Sequence, residues 1–538
     1  MKTKALQYEV TELKTQVEAL STELTKALSR EEHLKLIVAK YKHMLFGPKS
    51  EKRRAGEELP WLFALPGTED VGEKKAVTEI AAHTRKIKTD CPKEDEAPEG
   101  TFPSHFPRRE ELIDEKPDGA EDSDLELVSQ KVTERLGVTP EEYYVIRIVR
   151  NIYKNKQTGK LHMPEAPQHV LDCRCKVTES CIVMLVIKKF LWHLPLYRQQ
   201  QQLRLQGVKI SRDSLTRWVI QFGKLLLPIA EAISLGIRGS PVVHIDETPG
   251  RVGKRDANGK KEYKTGYFWP ILAQGVGVSF VYRPTRCWSE VKSVLEGFNG
   301  VLVSDAYEAY EDYVKANELK WQLCWMHIRR NFIEAESSNP KIAGEALVYI
   351  QALYNIERTL RDESADRRGI ARLKQTQPVL DEFRLWLNAK SASPEVITDE
   401  LLSKAVNYVL KRWEAAILFA SDATIPIDNG PDERAIRPTK LGLKNWLHCA
   451  SEEGAEIAAV FYTLIGSALM HGIHPYYYLL DLTKRIDDPK LTAQDLTPAK
   501  WKSRFYEEAV PQHLRDVIQP GEPFVGGPKA LRDTKLSA

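Results

Sequence analysis

Two short apolar runs in this chain each end in a carboxylate, and they limit what it can fold into. Val242-Val243-His244-Ile245 leads into Asp246, and Val301-Leu302-Val303-Ser304 leads into Asp305. Short aliphatic, β-branched runs of this kind read as central strands of a covered sheet. A charge at the carboxyl end of such a strand is costly to bury unless it is paired or bound to a metal. Ligands of α/β folds gather at those strand ends, so two acids there are a functional signal. Side chains alternate along a strand, which puts Asp246 on the face of His244 and sends Glu247 to the other. Asp246, and not Glu247, is therefore expected to converge with Asp305.

The surrounding pattern supports a sheet. Residues 241–246, 266–273 and 276–282 read as three successive strands, the first two separated by a polar, glycine-containing loop. A helix over 289–298, a strand over 301–304, another helix and a short strand near 321–323 follow. This order predicts a mixed α/β sheet. Residues 342–360, 367–387 and 400–420 then carry a strongly helical pattern, as an all-helical insertion would. The α/β pattern resumes at Ile425, and a buried helix over 451–470 ends before Gly472.

A third acid, Glu433, lies in Asp428-Asn429-Gly430-Pro431-Asp432-Glu433-Arg434-Ala435-Ile436-Arg437-Pro438. Pro431 suits the first turn of a helix and Pro438 limits its length. A first-turn glutamate is also what a capping box uses; the company of two strand-end aspartates is what raises it to a site candidate. Oxygen donors alone suit Mg²⁺ or Mn²⁺ and not Zn²⁺. Two such ions, about 3.5–4 Å apart, would serve an in-line phosphodiester displacement. Cys324-Trp325-Met326-His327 has zinc-like spacing, but no second Cys or His pair stands near it, and Cys173, Cys175 and Cys181 match no other cluster. No structural zinc is expected. His327 is expected to pack or hydrogen-bond near the site, with Arg329, Arg330, Arg434 and Arg437 as phosphate partners.

The N-terminal part points to assembly and to nucleic acid. Leu6, Leu13 and Leu20 alternate with Val10, Val17 and Leu24 in a heptad seam that favours a parallel two-stranded coiled coil, and so a homodimer or higher oligomer. Lys49, Lys52 and Arg53 belong to a basic cluster behind it that could hold phosphates. An acidic, proline-containing connection follows, then a β-branched and aromatic stretch over 142–153 that reads as strand, with a hairpin turn over 154–160. Around Gly207 the pattern is helix, turn, helix, with Ser211 as a cap and Arg212, Ser214, Thr216 and Arg217 on the outer face. That is a helix-turn-helix arrangement able to offer Arg and hydroxyl groups to DNA.

The whole is a multidomain α+β chain: coiled coil and basic segment over 1–55, linker over 56–130, a small β-containing module over 131–175 and a helical DNA-binding region over 176–236. The catalytic core occupies 237–334 and 425–475, interrupted by the insertion at 335–424 and followed by a C-terminal segment at 476–538. The longest mostly apolar run, 457–470, falls short of the roughly 20 residues a bilayer requires. No secretory signal opens the sequence, and its seven cysteines are scattered, so a cytoplasmic protein with reduced thiols is expected.

These residues in this order resemble the transposases of the insertion-sequence-66 family, encoded by bacterial mobile elements. The most specific parts are Ile245-Asp246-Glu247-Thr248, Ser304-Asp305-Ala306-Tyr307, Cys324-Trp325-Met326-His327-Ile328-Arg329-Arg330, and the segment from Pro426 to Pro438 followed by Gly442-Leu443-Lys444-Asn445-Trp446. The resemblance implies an RNase-H-like core with an Asp-Asp-Glu triad at Asp246, Asp305 and Glu433, two Mg²⁺ or Mn²⁺ ions, and DNA (element ends and target) as substrate. It further implies that accessory proteins of the same element can take part, and that the protein is nucleoid-associated when bound to DNA. One departure stands out. Family members often carry paired cysteines, like a zinc ribbon, ahead of the strand region, whereas this chain has only Cys91 there and none over 151–160. A nuclease of the same fold that never joins ends, or a non-catalytic DNA-binding protein, are the rival readings.

Overall fold

The computed structural model describes residues 177–255 and 261–515, with short pieces on either side. The coiled coil and the segment with Lys49, Lys52 and Arg53 lie outside the described residues. Pro48–Ala166 form one compact unit and the rest of the chain another. In the smaller unit, β1 (Ala97–Pro98) pairs antiparallel with β2 (Thr133–Glu134), so the stretch read as linker contains a strand. There too β3 (Tyr153–Lys154) pairs with β4 (Leu161–His162), the hairpin expected across 154–160. Tyr143 and Val145, in the stretch read as strand, belong to none. β-Branched composition makes a strand only where a neighbour completes the ladder.

Three helices come first among the described residues of the larger unit. Thr178 caps α1 (Glu179–Phe190), and α2 (Leu196–Leu205) ends in the turn at Gly207, whose φ of 80° lies where glycine is favoured. Ser211 caps α3 (Arg212–Arg238) by accepting from the Ser214 N–H at 3.1 Å. At 27 residues, α3 is far more than a short recognition helix. Leu215, Trp218, Phe222, Leu226, Ile229 and Ile233 recur at helical spacing and bury one face in the core, leaving mainly the other face to solvent.

The sheet contains β5 (Val242–Ile245), β6 (Thr248–Arg255), β7 (Lys261–Ala273), β8 (Gly277–Arg283), β9 (Val301–Ser304) and β10 (Lys320–Leu323). β7 pairs antiparallel with both β5 and β8, while β5, β9 and β10 run parallel in sequence along the sheet. The register is continuous from Ile245↔Ile271 to Thr248↔Phe268, so β5 and β6 are one strand interrupted at Asp246 and Glu247. Asp246 thereby falls opposite Pro270. The Asp246 N–H reaches the Pro270 carbonyl at only 3.5 Å, and Pro270 has no N–H to return. The loop expected between the first two strands is instead the hairpin of β6 and the first half of β7. In β6 buried Thr248, Gly250 and Val252 alternate with exposed Pro249, Arg251 and Lys254, but only Val252 of the buried residues is apolar and large, so the sequence shows no apolar alternation.

α4 (Trp288–Val294) connects β8 to β9, α5 (Glu308–Ala316) connects β9 to β10, and α6 (Trp325–Ala335) follows β10. The chain then becomes all-helical: α7 (Pro340–Thr359), α8 (Ala365–Ala371), α9 (Gln377–Ser391), α10 (Pro394–Ile397), α11 (Glu400–Leu410) and α12 (Trp413–Ser421). A π-helical turn at Arg372–Thr376 joins α8 to α9 inside what reads as one helix. Arg372 sits there fully buried, bonded to both Glu357 oxygens and to the carbonyls of Phe419, Asp422 and Ile425. These helices have their own core, built around Phe332, Phe383, Trp413 and Phe419, and pack on β10 and α6.

No strand resumes at Ile425. Instead α13 (Gly430–Trp446) follows, with Pro431 in its first turn as expected, but it runs straight through Pro438. Ala435, Ile436, Pro438, Thr439 and Gly442 form its buried face, and that packing outweighs the lost helical hydrogen bond. α14 (Glu452–Met470), α15 (Pro475–Arg485) and α16 (Pro498–Ala509) follow. By length and composition α3 and α14 could cross a bilayer, but α14 is largely enclosed and α3 turns its apolar face to the core. α14 also shields the open edge of β8: Thr463 Oγ1 accepts from the Phe280 N–H at 2.8 Å, and Ser467 Oγ bonds both the N–H and the carbonyl of Val278.

Candidate active site

Parallel pairing brings the two strand-end aspartates level. Val242, Val243 and His244 stand opposite Val301, Leu302 and Val303, and the same offset carried two residues on sets Asp246 beside Asp305. The Asp246 carboxylate turns back to accept from the Glu247 N–H at 2.8 Å, and Asp305 accepts from the Tyr307 N–H at 3.0 Å. Burial pushes the Asp246 carboxyl up to about 8, and the charges of Glu247, Asp305 and Glu433 push the same way.

Glu433 lies in the first turn of α13, half-buried. Its Oε1 is 3.5 Å from His327 Nδ1 and 3.8 Å from the Cys324 thiol, and its Oε2 is 3.8 Å from Arg330. Burial raises its carboxyl above the usual range, against the pull of His327 and Arg330. Its neighbour Asp432 is wholly buried, and neither carboxylate oxygen has a hydrogen-bond partner among the described residues. Burial and the charges of Asp246, Glu433 and Glu247 hold Asp432 well above the ordinary carboxylate range.

Asn429, just before α13, joins these elements. Its Nδ2 donates to the Ile245 carbonyl at 2.8 Å, so its Oδ1 is the acceptor facing His244 Nδ1 at 2.9 Å. Burial lowers the His244 pKa to about 4, which keeps the ring neutral. The Asn429 N–H reaches Cys324 Sγ at 3.2 Å. The helical segment is tied in as well: Tyr354 donates to Asp428 at 2.9 Å, and Tyr408 accepts from the Ala306 N–H at 3.3 Å.

Beside the acids is an open cleft of about 270 Å³ whose walls include Glu247, Asp305, His327, Arg286, Arg330 and Lys404. Glu247 is thus a correction to the strand alternation, which sends it to the opposite face from Asp246. The pleat is broken where Pro270 withholds its hydrogen bond, and the Glu247 carboxylate is held by Tyr310 and, at 3.6 Å, by Arg286. The donor set is of the kind a hard divalent cation takes: Asp246, Glu247, Asp305 and Glu433 offer carboxylate oxygens, and buried Asp432 has no hydrogen-bond partner among the described residues.

The other expected residues are distributed as follows. Arg329 is half-buried on the side of Tyr354, Arg434 folds over Gly430, and Arg437 is exposed. Arg212 and Arg217 are exposed on α3; the Ser214 hydroxyl bonds Ser211, and Thr216 donates to the Arg212 carbonyl. Asn429, Asp432, Arg286, Lys404 and Tyr408 were not legible from the sequence. Asn429 stands within a motif read for its glutamate, and nothing along the chain signals a partner 185 residues away.

The fold and site define a mixed α/β protein with carboxylates gathered at adjacent strand ends beside an open cleft. Residues 174–457, more than half of the chain, match the Transposase IS66 family, and residues 33–110 match Transposase C of IS166 homeodomain. The chain belongs to the IS66 transposase family. It is similar to three uncharacterized proteins of Sinorhizobium fredii (strain NBRC 101917 / NGR234). Protein y4jD is 29% identical over 430 residues, 75% of this chain and 82% of the relative. Protein y4hP is 28% identical over 410 residues (71% and 72%), and y4qI 28% over 486 residues (86% and 85%).

Proposed function

We propose that this chain is a DNA transposase that cuts phosphodiesters at the ends of its element and joins the freed 3′-hydroxyl to target DNA. The observation that carries this is the level placement of Asp246 and Asp305 on adjacent parallel strands, with Glu433 close enough to raise the Asp246 carboxyl. A three-stranded antiparallel meander continued by two parallel strands supports an RNase-H-like core, with the helical segment inserted before the glutamate helix. Asp246, Asp305 and Glu433 would hold two divalent cations. When bound, Mg²⁺ or Mn²⁺ supplies charge neutralisation at the scissile phosphate and acidifies the attacking oxygen.

The protein's own groups bind and orient. Arg286, Arg330 and Lys404 line the cleft beside the acids and suit the phosphates flanking the scissile bond. Asn429 fixes the helix of Glu433 against the strand of Asp246, and Tyr354 and Tyr408 fix the helical insertion to the same place. Phosphoryl transfer depends mostly on such positioning and on charge. End recognition falls to Lys49, Lys52 and Arg53, within the homeodomain-like match, and to Arg212 and Arg217 on α3, in a dimer held by the N-terminal heptads. The protein would work in the cytoplasm, with or without accessory proteins of its element.

The test uses the full chain, Mg²⁺ and labelled DNA carrying the element's ends. Asp246→Asn and Asp305→Asn should each lower cleavage by at least about 10³-fold while end binding persists. Wild-type cleavage retained in either variant removes that residue from the site. A pre-cut 3′-hydroxyl end and a plasmid target should give joined product; cleavage without joining would make the protein a nuclease.

A further inference from the structure

The glutamate of α13 is engaged in this structure by a second, chemically different set of groups. Ligand atoms of Cys324, His327 and Glu433 lie within 4.8 Å of one another, close enough to share a metal ion. Cys324 is the N-cap of α6 and His327 follows by three positions, so both face the same side of its first turn. Glu433 comes from the first turn of α13. The two helix starts are locked together by the Trp325 N–H on the Ile427 carbonyl at 3.3 Å and the Asn429 N–H on Cys324 Sγ at 3.2 Å.

The details favour a ligand over a settled hydrogen-bond network. His327 Nδ1 is buried and makes no hydrogen bond among the described residues, although it lies 3.5 Å from Glu433 Oε1. The thiol is 3.8 Å from that same oxygen, long for a hydrogen bond but suited to a cation between them. A backbone N–H already aimed at the sulfur is the kind of support that metal thiolates use. Of the two Glu433 oxygens, Arg330 approaches Oε2, at 3.8 Å, and not the Oε1 that faces the thiol and the imidazole. His327 lines the cleft, which gives an ion a way in.

We propose that Cys324, His327 and Glu433 form a site for a borderline transition-metal ion, Zn²⁺ or Co²⁺, that shares its glutamate with the hard-cation site. Sulfur, nitrogen and oxygen donors with an open fourth position suit these ions, whereas Mg²⁺ disfavours sulfur. The ion replaces the thiol proton, which leaves to solvent, and it draws Glu433 towards α6. Occupation therefore withdraws Glu433 from Asp246 and Asp305 and switches off Mg²⁺-dependent cleavage. That consequence rests on the transposase reading; the binding does not.

The experiment is a Co²⁺ titration of the full-length protein, read by absorption. A sulfur-to-cobalt charge-transfer band and intense tetrahedral d–d bands are expected. Both should be lost in Cys324→Ser, the d–d bands should weaken in His327→Gln, and all should persist in Cys287→Ser, which alters an exposed thiol away from the three ligands. No band, or a band surviving in folded Cys324→Ser, overturns the site. Should Cys324→Ser fail to fold by circular dichroism, an unchanged spectrum in His327→Gln does the same. Zn²⁺ should inhibit wild-type cleavage, and Cys324→Ser should lose that inhibition relative to its own zinc-free rate. Normal cobalt spectra without zinc inhibition overturn the competition. Normal spectra in a protein that never cleaves DNA would count against the transposase reading and leave the site standing.

Discussion

The side-chain amide of Asn429 donates to the main-chain carbonyl of Ile245 at 2.8 Å, joining positions 184 apart in sequence. Its oxygen faces His244 and its N–H faces Cys324. One fully buried residue thus fixes the end of β5, the start of α6 and the start of α13, which carry or precede Asp246, His327 and Glu433.

Asn429→Ala should therefore cost about 1–3 kcal/mol for each buried group left unpaired, chiefly the Ile245 carbonyl and the His244 ring. DNA cleavage should fall further than DNA binding. Chemical denaturation reads the first effect, and a midpoint equal to wild type would show that the network is not structural.

Asp246 gives the metal-free protein a distinctive pH response. Its carboxyl lies near 3.8 when unperturbed and is raised to about 8 in the fold, so the folded state holds a proton that the unfolded chain has released. Stability should fall as pH rises between about 4 and 8, by on the order of a few kcal/mol, with buried Asp432 acting in the same direction. Asp246→Asn should flatten that slope, and Mg²⁺ should stabilise the wild type more than the variant at pH 8. Melting curves at several pH values test this; parallel curves for both proteins would refute it.

The covered edge of β8 makes a separate test. Thr463→Val removes the acceptor for the Phe280 N–H, and Ser467→Ala leaves both main-chain groups of Val278 unpaired. Each change should destabilise by about 1–3 kcal/mol. Faster hydrogen exchange at Phe280 in Thr463→Val and at Val278 in Ser467→Ala would localise the effect, and unaltered exchange would contradict it.

Arg372 should matter most to the inserted helices. Arg372→Leu strands the Glu357 carboxylate and three carbonyls, a loss of about 3–5 kcal/mol by analogy with broken buried ion pairs. Limited proteolysis should cut between α7 and α12 before it cuts the sheet. Protection equal to wild type would mean that the aromatic core alone holds these helices.

Much of the fold was legible because its elements are locally consistent. The strands ending in Asp246 and Asp305, the helix starts at Ser211 and Ser451, and the turn at Gly207 each carry their own signal in apolar period, cap or glycine. Local signals failed where the deciding partner is remote. Pro438 sits inside a helix because its buried face packs well, and the buried positions of β6 are mostly threonine and glycine, which left no apolar stripe to reveal the hairpin.

The sequence by itself determined which acids stand at strand ends and a helix start, since burial pattern and turn chemistry are written in neighbouring residues. Only the tertiary structure decided which groups meet them. Pro270 breaks the pleat and turns Glu247 into the cleft, Asn429 clamps three elements, Asp432 is buried without a partner among the described residues, and Glu433 faces a thiol and an imidazole. Each of these depends on the meeting of segments far apart in the chain, a matter of strand register and packing that no local pattern encodes.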